Sequence, residues 1–218
     1  MSVLRVVLYA EGSGETLGAV SLLPAPGEPL GEQMLGPGHV LVRRALSEAR
    51  GVSPADVQFE SPLRTRRGRV PRGSDFLRST TLLQLLSWAD PSRKPDLAVV
   101  LVDADGDRQR RRKLQSIARQ VTVPAIVAVA TQEFEAWLIA DHAALSHVVG
   151  MKVEPVSEPE RLQPGEAKAG LARCGAVPQL RREIAERCDL RIVSHRCRAF
   201  ARFLKDLKTI VIEPRSNR

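Results

Sequence analysis

Pro95-Asp96-Leu97-Ala98-Val99-Val100-Leu101-Val102-Asp103-Ala104-Asp105-Gly106-Asp107 carries an apolar run of strand length to two carboxylates one residue apart. Residues i and i+2 of an extended chain point the same way, so Asp103 and Asp105 can share one hard cation. Such a cation takes oxygen ligands and keeps several waters that a phosphate can displace. The competing reading is a strand that ends in a solvated Asp-Gly turn, since Asp and Gly are also what turns require.

A second strand with an acid at its end stands near the N-terminus. Leu4-Arg5-Val6-Val7-Leu8-Tyr9-Ala10 reads as a short buried strand, and Glu11-Gly12-Ser13-Gly14-Glu15 follows at once. The two glycines permit a sharp exit and a close approach of backbone to a ligand. Glu11 and Glu15 are four apart and share a face if a helix begins here; alternatively, Glu15 is a first-turn charge favoured by the helix dipole. In open α/β sheets ligands sit at the carboxyl ends of parallel strands, near a topological switch point. Two strands that both end in acids therefore predict one shared site.

Between the two acidic motifs the pattern predicts a helix near Val40 to Ala49, a strand near Val57 to Glu60 and a helix near Ser74 to Trp88, which makes the Asp103 strand the third. A Glu-Gly after the first strand and an Asp-x-Asp after the third resemble the signature of the Toprim domain, the metal-dependent fold of topoisomerases, primases and certain nucleases. Glu11-Gly12 and Asp103-Ala104-Asp105 occupy those places in order, and Gly106-Asp107 extends the second motif. The resemblance implies an α/β, Toprim-like Rossmannoid fold with a central, mainly parallel sheet flanked by helices and a small helical C-terminal extension. The expected division is a catalytic core over 1–147 and an extension over 148–218 packed on it.

What the chain lacks narrows the branch. The only tyrosine, Tyr9, lies inside the first strand, so no cleavage tyrosine is at hand for a topoisomerase. Cys174, Cys188 and Cys197 include no Cys-x-x-Cys pair, so the zinc modules of primases and recombination mediators are not expected. What remains is the nuclease branch, in particular the overcoming-lysogenization-defect (OLD) nucleases and a stand-alone relative of unknown function. After a fourth apolar strand, Pro124 to Ala130, the segment Thr131-Gln132-Glu133-Phe134-Glu135-Ala136-Trp137-Leu138 resembles the stand-alone family's Glu-Phe-Glu-x-Trp-Leu signature, and Thr131 with Glu133 is similar to an OLD pattern. Without the resemblance, the segment reads as an ordinary amphipathic helix with Phe134, Trp137, Leu138 and Ile139 facing the core.

The resemblance implies a Mg²⁺-dependent endonuclease, with Mn²⁺ as the other accepted ion. Asp103 and Asp105 hold a metal, and Glu11 binds metal or moves a proton of the attacking water. Glu15 and Glu133, the glutamate nearest the strand end, complete a second metal position about 4 Å away if two ions are used; Glu135 is the other candidate ligand, or instead anchors the helix or reaches a basic neighbour. Lys168 neutralises charge at the cleaved phosphate. Related domains work beside a separately encoded ATPase of the ABC or AAA type in bacterial anti-phage defence, which makes such an ATPase the expected partner. Two other classes remain open: a non-cleaving or partner-activated regulatory Toprim module, and a small-molecule phosphohydrolase with Asp103 as nucleophile.

A net charge of +8 and a pI near 10.1 permit nucleic-acid binding. Arg64, Arg66, Arg67, Arg69 and Arg72 crowd one Gly- and Pro-containing loop, while Arg108, Arg110, Arg111, Arg112 and Lys113 follow Asp107. Backbone phosphates are the expected ligands of both clusters, Arg110 and Arg111 included; a solvated face or a protein partner is the alternative. With aromatics at 4% a stacking platform is poorly supported, so the expected substrate is a duplex, DNA ahead of RNA. No segment has transmembrane length, the start lacks a signal pattern, and the odd cysteine count suits free thiols, which together predict a cytoplasmic protein. An oligomer is compatible. His39 reads as a cap or packing residue, Pro178 to Cys188 and Ser194 to Leu207 as helices, Ile210 to Ile212 as a final strand and Glu213 to Arg218 as a polar tail.

Overall fold

The computed structural model describes residues 3–16, 23–76 and 78–212 of the chain. Four strands, β1 (Leu4–Ala10), β2 (Val57–Glu60), β3 (Leu97–Asp103) and β4 (Ala125–Ala130), form one all-parallel sheet in the order β2-β1-β3-β4. Parallel strands are covered on both faces, which is why β1 and β3 read as continuous apolar runs rather than alternating ones. Alternation persists in which face each residue serves. Val6, Leu8 and Ala10 join one core, whereas Val7 and Tyr9 join the other.

The second core lies under α3 (Ser79–Leu86) and α4 (Arg110–Ala118), with Leu82, Leu85, Leu86 and Leu114 turned to the sheet. The first lies under α2 (Pro37–Arg50) and takes in the C-terminal helices. These are α5 (Glu135–Ile139), α6 (His142–Val149), α7 (Glu166–Arg173), α8 (Pro178–Arg187), α9 (Leu190–Arg196) and α10 (Arg198–Thr209). Trp137 of α5 anchors them, in edge contact with Phe200 at 5.2 Å and stacked on Phe203 at 6.2 Å. Arg44 of α2 donates to the Ala185 carbonyl at 2.8 Å, and Arg50 to those of Leu207 and Ile210. The chain beyond residue 147 therefore shares one continuous apolar core with the sheet.

The four strands of the sheet stand where the apolar runs placed them, whereas an expected fifth strand and several helix boundaries differ. The segment near Ser74 to Trp88 opens with a 3-10 turn, Gly73–Asp75, because Asp75 turns inward to accept from Arg72 N–H and Arg69. Only from Ser79 is it α-helical. Ser194 to Leu207 is two helices, not one: Cys197 leaves the helical region (φ −122°, ψ 100°), and its buried Sγ lies 3.7 Å from the Ala136 carbonyl. Ile210 to Ile212 forms no strand; Ile210 is extended, but its carbonyl accepts from Arg50. The Glu213 to Arg218 tail lies outside the described residues.

His39 caps α2 as expected, with Nδ1 accepting from Gly36 N–H at 3.2 Å and the ring edge-on to Phe59. Burial pushes its pKa down to about 3, so it is neutral. Tyr9 is buried, its hydroxyl donating to the Leu85 carbonyl at 2.5 Å. The three cysteines are free. Among the described residues, no helix is long and apolar enough to cross a membrane.

Candidate functional site

The strand order sets the site. From β1 the chain moves outward to β2, then returns past β1 to β3, so the topological switch point lies between β1 and β3. Glu11 and Asp103 stand at the C-terminal ends of those two strands. They are directly linked: Asp103 N–H donates to Glu11 Oε2 at 3.0 Å, and Glu11 N–H donates to the Leu101 carbonyl.

Asp103 is held from the other side by β4's exit, where Phe134 N–H donates to its Oδ1 at 2.8 Å. Burial raises its pKa to about 8, and the charges of Glu15, Glu135 and Glu11 push the same way. Glu15, in the single turn α1 (Ser13–Thr16), is only 5% exposed, and its Oε2 has no hydrogen-bond partner. Burial raises its pKa to about 7, with Glu135 adding to the rise and Lys168 opposing it. Burial also raises Glu11. An acid cluster that carries this much mutual repulsion is under-neutralised by protein groups alone.

Two glycines make the crowding feasible. A Cβ on Gly12 would meet the Glu15 carboxylate at 2.5 Å, and one on Gly38 would meet the Glu15 carbonyl at 3.0 Å. Gly38 thus lets the first turn of α2 press against α1.

Several expected ligands turn to other partners. Asp105 does not follow Asp103 in direction, because the chain leaves extended geometry there. Asp105 has φ 44°, a left-handed position that Asp tolerates, and Asp107 N–H closes a turn on the Ala104 carbonyl. Its exposed carboxylate accepts from Arg110 at 2.8 Å. Asp107 pairs with Lys113 and accepts from Gln109 N–H. The solvated Asp-Gly turn is thus the better description of Asp105 to Asp107, while Asp103 belongs to the site.

Glu133 and Glu135, two residues apart, turn to different partners: Glu135 meets a basic neighbour as expected, whereas Glu133 is engaged by backbone away from the acids. Glu133 accepts from the backbone N–H groups of Gly165 (2.7 Å) and Lys168 (3.2 Å), so it caps α7 from outside the helix. Glu135 is the buried one, 4% exposed and paired with Arg181 of α8 at 3.1 Å. Lys168 is exposed, on the helix that Glu133 caps, and its charge reaches Glu15. Glu133→Ala is expected to loosen the start of α7 at a cost of about 1 kcal/mol, read as faster amide exchange at Gly165 and Lys168. Unchanged exchange there would contradict the cap.

Most of the expected phosphate-binding arginines also have structural work. Arg110 is buried: its Nη1 donates to the Asp103 carbonyl and to Asp105, and lies 3.7 Å from Glu11 Oε2. Arg111 pairs with Asp206 of α10 at 2.6 Å, Arg64 donates to the Leu23 and Pro24 carbonyls, and Arg69 pairs with Asp75. Arg66, Arg67 and Arg72 are exposed.

Arg181 was invisible to sequence reasoning. It lies 46 residues from Glu135 on an arginine-rich helix, and nothing local marks it. Arg110 was visible only as one of a basic run.

No three His, Cys, Asp or Glu side chains among the described residues are disposed to hold a metal ion together. The donor chemistry nonetheless fits a hard divalent cation: Glu11, Glu15 and Asp103 supply carboxylate oxygens, one of them orphaned, with Glu135 behind. Engaging an ion requires these side chains to turn from their present partners. Residues 41–208 match the family model of a domain of unknown function, DUF4276. No curated protein and no solved structure matches the chain.

Proposed function

We propose that this chain, which belongs to the DUF4276 family of domains of unknown function, is a divalent-metal-dependent phosphodiesterase acting on nucleic acid. The observation that carries the reading is Glu15, a buried carboxylate with an orphan oxygen, coupled to Asp103 and Glu135 at the switch point of a parallel sheet.

Asp103, Glu11 and Glu15 would hold Mg²⁺ or Mn²⁺. Such an ion, when bound, polarises a phosphoryl oxygen and lowers the pKa of a water. The remaining roles fall to the chain. Glu11 has Oε2 engaged by Asp103 N–H, which leaves Oε1 to take a proton from the attacking water. Lys168 supplies positive charge where negative charge develops on the phosphoryl group. Arg110 fixes the Asp103 carbonyl, and Arg181 holds Glu135 in place.

A second reading has its own observation. Glu11, Asp103, Asp105 and Glu135 each accept from a protein donor, and Arg110 and Arg181 stand as resident counter-charges. That arrangement suits a nuclease that a partner must activate, such as a separately encoded ABC- or AAA-type ATPase in cytoplasmic anti-phage defence, where the resemblance to OLD nucleases points.

The test is conversion of supercoiled plasmid to nicked or linear forms by the purified chain. Cleavage in Mg²⁺ or Mn²⁺ and none in EDTA is expected. Equal cleavage in EDTA would contradict the metal-dependent reading, and no cleavage in either would favour the partner-activated one.

A further inference from the structure

An open groove runs between the loop 65–69 and the start of α3. Its basic groups are placed by local geometry. Thr65 N–H donates to the Arg69 carbonyl (2.9 Å), Gly68 N–H donates to the Thr65 carbonyl (2.8 Å), and Gly68 takes φ +74°. This tight turn puts Arg66 and Arg67 at its tip, both exposed. Across the groove stands Arg78, exposed, at the N-cap of α3.

Arg66, Arg67 and Arg78 have no ion-pair partner among the described residues, unlike Arg69, which Asp75 neutralises at 2.8 Å. The N-cap of α3 contributes no side-chain hydrogen bond, and Thr80 and Thr81 in its first turn line the groove. Guanidinium groups gathered around one carboxylate repel one another unless an anion joins them. The groove adjoins the acid site twice. Gly73 N–H, at the end of the arginine loop, donates to the Glu11 carbonyl (2.9 Å), and Ser79 lines a neighbouring depression with Asp107, Arg110 and Lys113.

The occupant is argued from the aromatics. Every phenylalanine, tryptophan and tyrosine of the chain is buried, so no ring is offered to an unpaired base. Single-strand binding of the sequence-tolerant kind relies on such rings; contacts to phosphates do not. We propose that this groove is the track for the phosphate backbone of a duplex nucleic acid, with Arg66, Arg67 and Arg78 as its phosphate contacts. The proposal rests on the phosphodiesterase reading for its orientation toward the acid site, and its test does not.

Fluorescence anisotropy with a 20-base-pair duplex in EDTA, at several NaCl concentrations, measures binding without cleavage. The variant R66E/R67E/R78E should weaken binding at least ~10-fold and reduce the salt slope by about 3, the value for loss of three phosphate contacts. The milder R66Q/R67Q/R78Q should lose binding in the same direction. These side chains are exposed and unpaired, so thermal unfolding should be unchanged. A charge-matched control, R202E/K205E/K208E on the exposed side of α10, should bind nearly as wild type. Equal losses in the groove and control variants, or no duplex binding by the wild type, would overturn the groove. Binding that depends on these arginines without any metal-dependent cleavage would leave the groove standing and remove the phosphodiesterase reading.

Discussion

Asp103→Asn should lower plasmid cleavage by at least ~10²-fold while leaving the fold intact, a loss of the size seen when one dedicated charge-stabilising group is removed. The amide keeps an oxygen for Phe134 N–H, so the backbone of the β4 exit stays held. What disappears is the negative charge that faces Glu11, Glu15 and Glu135. The contrast with Asp105→Asn should be large. Asp105 is exposed and paired with Arg110 alone, so its loss should change cleavage less than ~10-fold. Equal effects of the two substitutions would place the reacting centre at the Asp-Gly turn rather than at the switch point.

The same cluster should make the metal-free protein less stable as pH rises from about 6.5 to about 8.5. Asp103 (about 8) and Glu15 (about 7) titrate far above the values such carboxyls have in an unfolded chain. A folded-state pKa raised in this way means that the native state holds protons the unfolded state has lost. Its stabilising effect is complete below pH 4 and disappears as pH rises through the folded values. His39 acts in the opposite sense, since a pKa of about 3 makes stability climb with pH, but only up to about pH 6.5. Above that, the carboxylates stand alone. Urea unfolding across this window should show a loss on the order of 2 kcal/mol, reduced in Asp103→Asn to the part that the buried Glu15 contributes and offset by millimolar Mg²⁺. A stability that is flat, or that rises with pH, would contradict the crowding of the acids.

The central strands were legible because a parallel strand buried on both faces reads as one apolar run; Leu97 to Asp103 stands as read, and the shorter Val57 to Glu60 does too although Gln58 and Glu60 interrupt it. Strand-end acids were legible for the same reason: a carboxylate that ends a fully apolar run marks the sheet's edge, and sheet topology does the rest. The failures are of two physical kinds. Backbone departures escape side-chain patterns: periodicity runs straight across Cys197, and the i, i+2 rule breaks at Asp105 because its φ is positive. Long-range capture escapes them too. That Glu133 caps α7, that Glu135 meets Arg181 and that Arg110 folds back over Asp103 are facts of tertiary packing. The spacing of Glu11 and Glu15 was readable, but the burial that leaves one Glu15 oxygen without a partner was not.

Isothermal titration of the purified chain with MnCl₂ at pH 8 tests most directly whether the switch-point acids hold a divalent cation. Saturable binding with a submillimolar Kd is predicted for the wild type, abolished in Asp103→Asn and weakened at least ~10-fold in Glu15→Gln, which removes the charge at the orphaned oxygen. Binding that neither substitution alters, or no binding at all, would contradict a metal site at the ends of β1 and β3.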